Sequence, residues 1–478
     1  MAWANDRQEW IGSAAGRLAH DRPRLAALAV LAVGAMVSLA ADLPGHMSYD
    51  SVLQLAQGRS GVFNAWHPPI MAWMLGVLDA AAPGTGLFVV FDTLLIYGSL
   101  ALLVLAARRS SWLAAPLVLI WAAIPDGLIY PGTVWKDVLF AGAASGGFAV
   151  LAMLPRVWRH RRWRFATISA AFLFLTLGTL ARQNGIVILP AAAIACGWIA
   201  ARHGDRPPKQ TALAYALAPL AAAILLMTAA NAALAAHGDG EPSQAYQLED
   251  LQAYDLAAAL RAEPDLALER LKTVNPSLES LLRTKAAAAY SPERLDAISA
   301  MPDLSRAYLD TPASAMSDQW RELVLRHPWL YLKIRARDFA WVFFTPKVDA
   351  CLPFFVGVHG PQPWVSRLGL VNGERPQDVA LNDWAEPWAH SPLASHALYA
   401  AVAAALLVLL LRRRREADIA VAGLLASALA FTATFFLISV ACDYRYLYFL
   451  DMAAAAGAIY AACDAGGLGI RRPPPAAP

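Results

Sequence analysis

Ten runs of mostly apolar residues divide this chain, at roughly 25 to 42, 87 to 107, 112 to 131, 138 to 155, 165 to 181, 186 to 201, 211 to 236, 395 to 411, 418 to 440 and 445 to 463. A helix that crosses a bilayer takes about 20 such residues. Inside the hydrocarbon layer no water satisfies backbone N–H and C=O groups, so segments of this length are expected to close their own hydrogen bonds as helices. Composition agrees: 58% hydrophobic residues, 16% charged residues and a mean hydropathy of +0.43 describe a chain whose solvent is largely lipid. The expected class is an all-α polytopic membrane protein of about ten transmembrane helices, with outer edge helices and a mostly helical outer region. A net charge of +3 over 478 residues is too small to point to nucleic acid.

The arginines encode orientation. Arg17, Arg22 and Arg24, then Arg108 and Arg109, the cluster Arg156 to Arg164, the stretch Arg202 to Lys209, Arg412 to Arg415, and Arg471 with Arg472 share one side if every run crosses once. The positive-inside rule makes that side cytoplasmic, with both termini there and the protein in the cytoplasmic (inner) membrane. The apolar piece IMAWMLGVLDAAA at 70 to 82 breaks this pattern if it crosses, so it is read as a helix lying at the outer membrane edge. Five parts follow: a cytoplasmic N-terminus over 1–24, a seven-helix module over 25–236 with its first outer loop at 43–86, an outer region over 237–394, three further helices over 395–463, and a cytoplasmic tail over 464–478. The basic residues before the first run resemble a signal peptide, but more spans follow and no cleavage site is evident, so an uncleaved first helix is expected.

The outer region begins with apolar positions at helical spacing broken by prolines, which predicts several short helices. Its later part, Cys351 to His390, is rich in Pro, Gly and Trp and is expected to be irregular. The tail RRPPPAAP is expected to be disordered. Four cysteines offer no metal-binding spacing. Cys351 and Cys442 both fall on the outer side, where a disulfide would survive, and the sequence leaves their pairing open.

Ionisable residues gather at the outer rim of this topology. Asp50 and His67 follow the first helix; Lys136 and Asp137 stand at the turn in YPGTVWKDVLF; Arg182 stands at the turn in LARQNGIVILP; Asp443 and Arg445 stand in ACDYRYLYFL. Four separate hairpins thus present acid and base to one side. A transporter more often holds such groups near the midplane, between broken helices. Carboxylates beside cations suit a carboxylate that takes a proton from a hydroxyl nucleophile while Lys, Arg and His neutralise a phosphate leaving group. Neither GxGxxG nor GxxxxGK[ST] occurs, so the chemistry points to glycosyl transfer from a polyprenyl-phosphate-linked sugar in the membrane.

At these residues the chain resembles the GT-C superfamily of integral-membrane glycosyltransferases, in the branch of protein O-mannosyltransferases and lipid A aminoarabinose transferases. The resemblance rests on Asp50 in SYDSVLQLA, on Pro68 and Pro69 in WHPPIMAW, on Asp137 in WKDVLFAG, on Arg182 in ARQNG, and on the late pair Arg445 and Tyr446. It is best over residues 25 to 236. It implies that Asp50 is the general base for the acceptor hydroxyl, that Asp137 orients acceptor or base, and that Lys136, Arg182, His67 and Arg445 hold the donor phosphate, with inversion at the sugar. Many members carry a second acid where this chain has Ser51, which removes a carboxylate pair there. A divalent cation stays open as a cofactor, and no metal ligands are assigned. The acceptor is a glycan, a lipid or a protein.

Plainer roles compete for the same residues. Asp50 and Asp137 are placed to cap the helices that follow them, Arg182 to satisfy helix-end carbonyls or headgroups, and Arg445 to pair with Asp443 alone. Asp92 and Asp451 fall inside predicted spans, where they would hydrogen-bond between helices or line a cavity. Trp320, Trp329, Trp341, Trp364, Trp384 and Trp388 would anchor the outer region in headgroups or stack on sugars. Two other functions stay open. A polysaccharide polymerase or ligase acting on a lipid-diphosphate glycan would use loop cations such as Arg321, Arg335 and Arg337, and a lipid or sugar transporter (flippase) would need alternating access.

Overall fold

The computed structural model describes residues 2–64, 66–204, 207–238 and 243–464, with side chains described from residue 21 on apart from 243–246. Arg206, Arg471, Arg472 and the proline-rich tail lie outside the described residues, as does the side chain of Arg17. Among the described residues there is no strand, only isolated bridges, and nine helices are long and apolar enough to cross a membrane. They are drawn from α1 (Ala2–Asp42, apolar from Asp21), α4 (Gly86–Ala106), α7 (Lys136–Val157), α8 (Arg161–Ala181), α9 (Ile188–His203), α10 (Pro208–Ala235), α15 (His396–Arg413), α16 (Glu416–Ile438) and α17 (Tyr448–Cys463). Between α1 and α4 lie two short helices, α2 (Tyr49–Ser60) and α3 (Pro69–Ala81).

The run at 112 to 131 is not one straight span. It folds as α5 (Ala114–Ala122) followed by a segment Pro125–Gly132 that begins with α6 (Pro125–Leu128), with a bend of 83° between the two. The reason is local. Pro125 lacks an N–H and disfavours helix in the residue before it, and a Cβ on Gly127 would meet the Trp121 carbonyl oxygen at 2.1 Å. Counting this pair as one span brings the number to ten.

The most buried spans are α7 and the segment Tyr444–Cys463 that contains α17, each 83% buried over its apolar window, whereas α10 is 6% buried, on the outside of the bundle. Small residues make α7 central: its run of Gly and Ala lets neighbours approach closely. A Cβ on Gly147 would lie 2.6 Å from Leu175 Cγ. The outer region is helical, with α11 (Ser243–Ala262), α12 (Ala313–Arg326), α13 (Pro328–Phe344), α14 (Pro376–Ala389) and shorter turns between. Helices α11 to α13 build a core of their own around Tyr254, Leu271, Leu282 and Leu304. The expectation of irregular structure over 351 to 390 is corrected by α14. Asp378 there accepts from the Arg375 backbone N–H at 2.8 Å and from its guanidinium at 2.7 Å, a fixed start that outweighs the Pro and Trp content.

The arginine clusters meet at one end of the bundle. Arg24 and Arg156 donate to the Ala107 carbonyl, both at 3.0 Å, and Arg156 also to Ala106 at 2.7 Å. They thereby satisfy carbonyls that the end of α4 leaves open. His203 contacts Glu416 at 3.2 Å, and Arg413 pairs with Asp464 at 2.9 Å. At the other end, Cys351 and Cys442 form a disulfide that ties the outer region to the lead-in of α17.

Candidate active site

At the end of the bundle away from these arginines opens a cavity of about 680 Å³. Its predicted site residues come from four separate stretches, and each is placed by a local rule. Asp50 lies in the first turn of α2, which starts after the extended Ser48. The loop before it is laced to the lead-in of α7. His46 N–H donates to the Gly132 carbonyl at 2.9 Å, the Ser51 hydroxyl to the Val134 carbonyl at 2.5 Å, and the Trp135 indole to the Ser48 hydroxyl at 2.9 Å. Ser51, where a second acid was weighed, is thus a buried fastener between the two loops. Lys136 and Asp137 open α7 after the extended Trp135. Arg182, also extended, breaks the path between α8 and the turn Gln183–Val187. Arg445 sits in the turn Tyr444–Leu447, next to the disulfide.

The helix pair α2 and α3 braces the first wall. Pro69 opens α3, Arg59 grips Asp79 through two nitrogens at 2.9 and 2.7 Å, and Gly58 and Gly76 let the helices touch backbone to backbone. A Cβ on Gly58 would stand 2.3 Å from the Ala72 carbonyl oxygen. The polar lip between the first two spans is therefore a rigid hairpin that aims Asp50 and His67 into the cavity.

The charges are linked. Arg445 Nη2 donates to Asp50 Oδ2 at 2.8 Å and contacts Asp443 Oδ2 at 3.1 Å, while its guanidinium lies 4.8 Å from the Trp135 ring centroid. Lys136 Nζ lies 2.8 Å from His67 Nδ1 and His67 Nε2 lies 3.4 Å from Asp50 Oδ1. An ammonium can only donate, so Nδ1 accepts and the Nε2–H of a neutral imidazole faces the carboxylate. Burial pushes the Asp50 pKa up, but Arg445, His67 and Lys136 together hold it well below the usual carboxylate range. Burial, and then Lys136, push His67 below the ordinary imidazole value despite Asp50. Asp443 is raised by burial, against the pull of Arg445 and Arg294.

Arg182 lines the cavity and forms an ion pair with Asp137 beneath it, with Nη1 2.8 Å from Oδ1, a contact of charges rather than an aligned hydrogen bond. The rings of Phe435 and Tyr446 lie 5.5 and 5.3 Å from its guanidinium. Its Nε finds no hydrogen-bond partner among the described residues. Asp50, His67, Lys136, Arg182 and Arg445 all line the one cavity, and Asp137 stands behind Arg182 instead of lining it. Neither Asp50 nor Asp137 caps its helix, since no side-chain capping bond occurs at the start of α2 or α7. Arg445 reaches beyond Asp443. Asp92 is buried without a hydrogen-bond partner among the described residues, and Asp451 pairs with His396 at 2.9 Å; neither lines the cavity.

Other lining residues had no sequence signal. Arg294 arrives from the outer region and contacts Asp443 at 3.4 Å; His359 comes from the loop before α14. Asn184, two residues after Arg182, lines the wall and donates to Thr434 at 2.8 Å. Of the three arginines a ligase reading would use, none lines the cavity. Arg335 is wholly buried, Arg321 pairs with Asp318, and Arg337 lies over Tyr290. Nor do the residues fit a divalent cation. The guanidinium of Arg445 stands between the carboxylates of Asp50 and Asp443, and among the described residues no group of three or more His, Cys, Asp or Glu could hold a metal ion.

No family model and no curated protein matches this chain. Among solved structures it is similar to the archaeal oligosaccharyltransferase AglB from Archaeoglobus fulgidus, in complex with an inhibitory peptide and a dolichol-phosphate. The identity is 13% and the TM-score 0.38, over 91% of this chain and 50% of that one. This chain spans about half the length of that protein, and at this similarity the likeness carries no functional weight.

Proposed function

We propose that this protein is a membrane glycosyltransferase that moves one sugar from a polyprenyl-phosphate donor to an acceptor hydroxyl on the extracytoplasmic side, with inversion. The observation that carries the reading is the meeting of Asp50 with Lys136, His67, Arg182 and Arg445, from four stretches of chain, around one cavity of about 680 Å³. A tool for hydroxyl activation thus faces tools for phosphate binding.

In the proposed step the acceptor oxygen forms a bond to the anomeric carbon as the bond from that carbon to the phosphate oxygen breaks. The bonding pair leaves with the polyprenyl phosphate, and the acceptor proton passes to Asp50. A carboxylate held well below its usual pKa is a weak base towards a resting alcohol. It becomes adequate once the sugar carries positive charge and the attacking oxygen turns acidic, as in an oxocarbenium-like transition state. Lys136 and Arg182 then face the phosphate, Arg182 through donors that Asp137 leaves open. His67 and Arg445, already bonded to Asp50, orient it, and Arg445 screens it from Asp443.

The test is incubation of the purified protein in vesicles with a labelled polyprenyl-phosphate sugar and candidate glycan, lipid and protein acceptors. Release of polyprenyl phosphate with a new glycosidic product is the expected result. Passage of intact lipid-linked sugar between leaflets, with no product, would overturn it.

A further inference from the structure

Helix α13 crosses the ends of two spans. Its Arg335 donates from Nε to the Phe436 carbonyl at 3.3 Å and also to the Ser439 carbonyl, both at the end of α16, while Thr345, just past its C-terminus, donates to the Ala394 carbonyl just before α15. Two anchors at the same end of neighbouring spans lay the helix across the bundle at the level where the hydrocarbon layer stops.

The side chains around its axis follow a fixed order at about 100° per residue. One sector, with Arg335 and Phe339, meets the end of α16; Phe339 and Phe436 have ring centroids 6.1 Å apart. A second sector, with Leu330, Tyr331 and Ile334, is buried in the core of the outer region. Between them is an exposed face in two parts. Next to the bundle come Leu332, Ala336 and Trp329, with Leu332 42% and Trp329 83% exposed; beyond them, towards the outer region, come exposed Lys333 and Arg337. The nearest acid on the helix, Asp338, is buried against Tyr290. Phe344 at the helix end and Leu437 and Ile438 at the end of α16 are exposed as well.

We infer that α13 is an interfacial helix. Its Trp329–Leu332–Ala336 strip lies in the acyl boundary of the same bilayer that holds the spans, and Lys333 and Arg337 meet anionic headgroups. The order around the axis decides for lipid over a protein partner. The apolar sector adjoins the side that touches the bundle, and the basic sector lies one step further from the membrane, as for a helix lying in the interface plane. A tryptophan 83% exposed is otherwise costly in water, and tryptophan favours the headgroup level.

The test uses the full chain in vesicles of phosphatidylethanolamine and phosphatidylglycerol. Nitroxide labels are placed through Trp329→Cys, Leu332→Cys and, as a reference, Arg321→Cys on α12, whose side chain is 67% exposed. Cys196 and Cys463 are buried and will not compete. The expected result is a ratio of oxygen to nickel-complex collisions several-fold higher at positions 329 and 332 than at 321. Equal, water-like ratios at all three positions would overturn the inference. So would shielding of 329 and 332 from both reagents, which would place a protein partner or a second copy on the strip.

Discussion

Two clusters of buried charge stand close together, and they differ in what surrounds them. Around Arg335 the guanidinium is wholly enclosed. Asp255 accepts from its Nη1 at 2.6 Å, while Nε donates to the Phe436 carbonyl and Nη2 to the Ser439 carbonyl. Trp320 closes the other oxygen of Asp255 at 2.8 Å, and the Tyr290 hydroxyl donates to Asp338. The cluster around Asp50 likewise pairs arginine with aspartate, but it faces a cavity of about 680 Å³, and Arg182 there keeps a nitrogen without a hydrogen-bond partner among the described residues. A charge cluster enclosed on all sides fixes one stretch of the chain on another, even though Asp338 Oδ2 finds no hydrogen-bond partner among the described residues. A cluster that opens on a cavity is poised for a ligand.

Substitutions can break that contrast, and the largest expected effect is at Asp50. Asp50→Asn should leave the protein folded and reduce transfer by about 10²- to 10⁴-fold, the range for loss of a general base, in the labelled-lipid assay; full activity would remove the assignment. At Arg335 the loss should fall on stability instead. Arg335→Ala leaves Asp255 and Asp338 unpaired and should cost about 3–5 kcal/mol, as for a broken buried ion pair; unfolding in detergent with unchanged midpoint would mean the cluster is not structural. Arg182→Ala should weaken donor binding by roughly 10- to 100-fold, since a charge-assisted hydrogen bond contributes about 1.5–3 kcal/mol; it also leaves the buried Asp137 without its ion-pair partner, so the unfolding midpoint falls as well and affinity is compared on folded protein. Equal donor affinity in a titration would deny it a phosphate role.

Acidity separates the clusters more gently. Because its neighbours hold Asp50 well below 3.8, it stays ionised throughout the weakly acidic range, so any acid limb it imposes on the transfer rate should lie below pH 3.8. Asp338 behaves oppositely. Burial outweighs Arg335 and Tyr290 and raises it to about 6, so its contribution to stability is full below pH 3.8 and is lost as pH rises through about 6. A rate profile with an acid limb near pH 6, or a stability profile unaltered by Asp338→Asn across that window, would collapse the distinction.

The contrast also marks what could be read without coordinates. Asp50, Lys136, Arg182 and Arg445 are visible as ions at the ends of apolar runs, since a charge in such a place needs a reason. Arg335 carries the same charge in the same kind of outer segment as Arg321, and nothing local separates the buried one from the exposed one. Arg294 and His359 were illegible for the same cause: they reach the cavity only because the disulfide and the loop before α14 bring the outer region over it. The bend at Pro125 was written in IPDG but hidden by an apolar average across 112 to 131.

Apolar run length and the spacing of arginines determined the number of spans, the edge helix at Pro69–Ala81 and the end of the bundle where the ions collect, because lipid permits a long segment few alternatives. Only the tertiary structure decided which ions pair: Arg445 with Asp50 across 395 residues, Arg182 with Asp137, Arg335 with Asp255. Coulomb attraction falls with distance in space and is blind to distance along the chain.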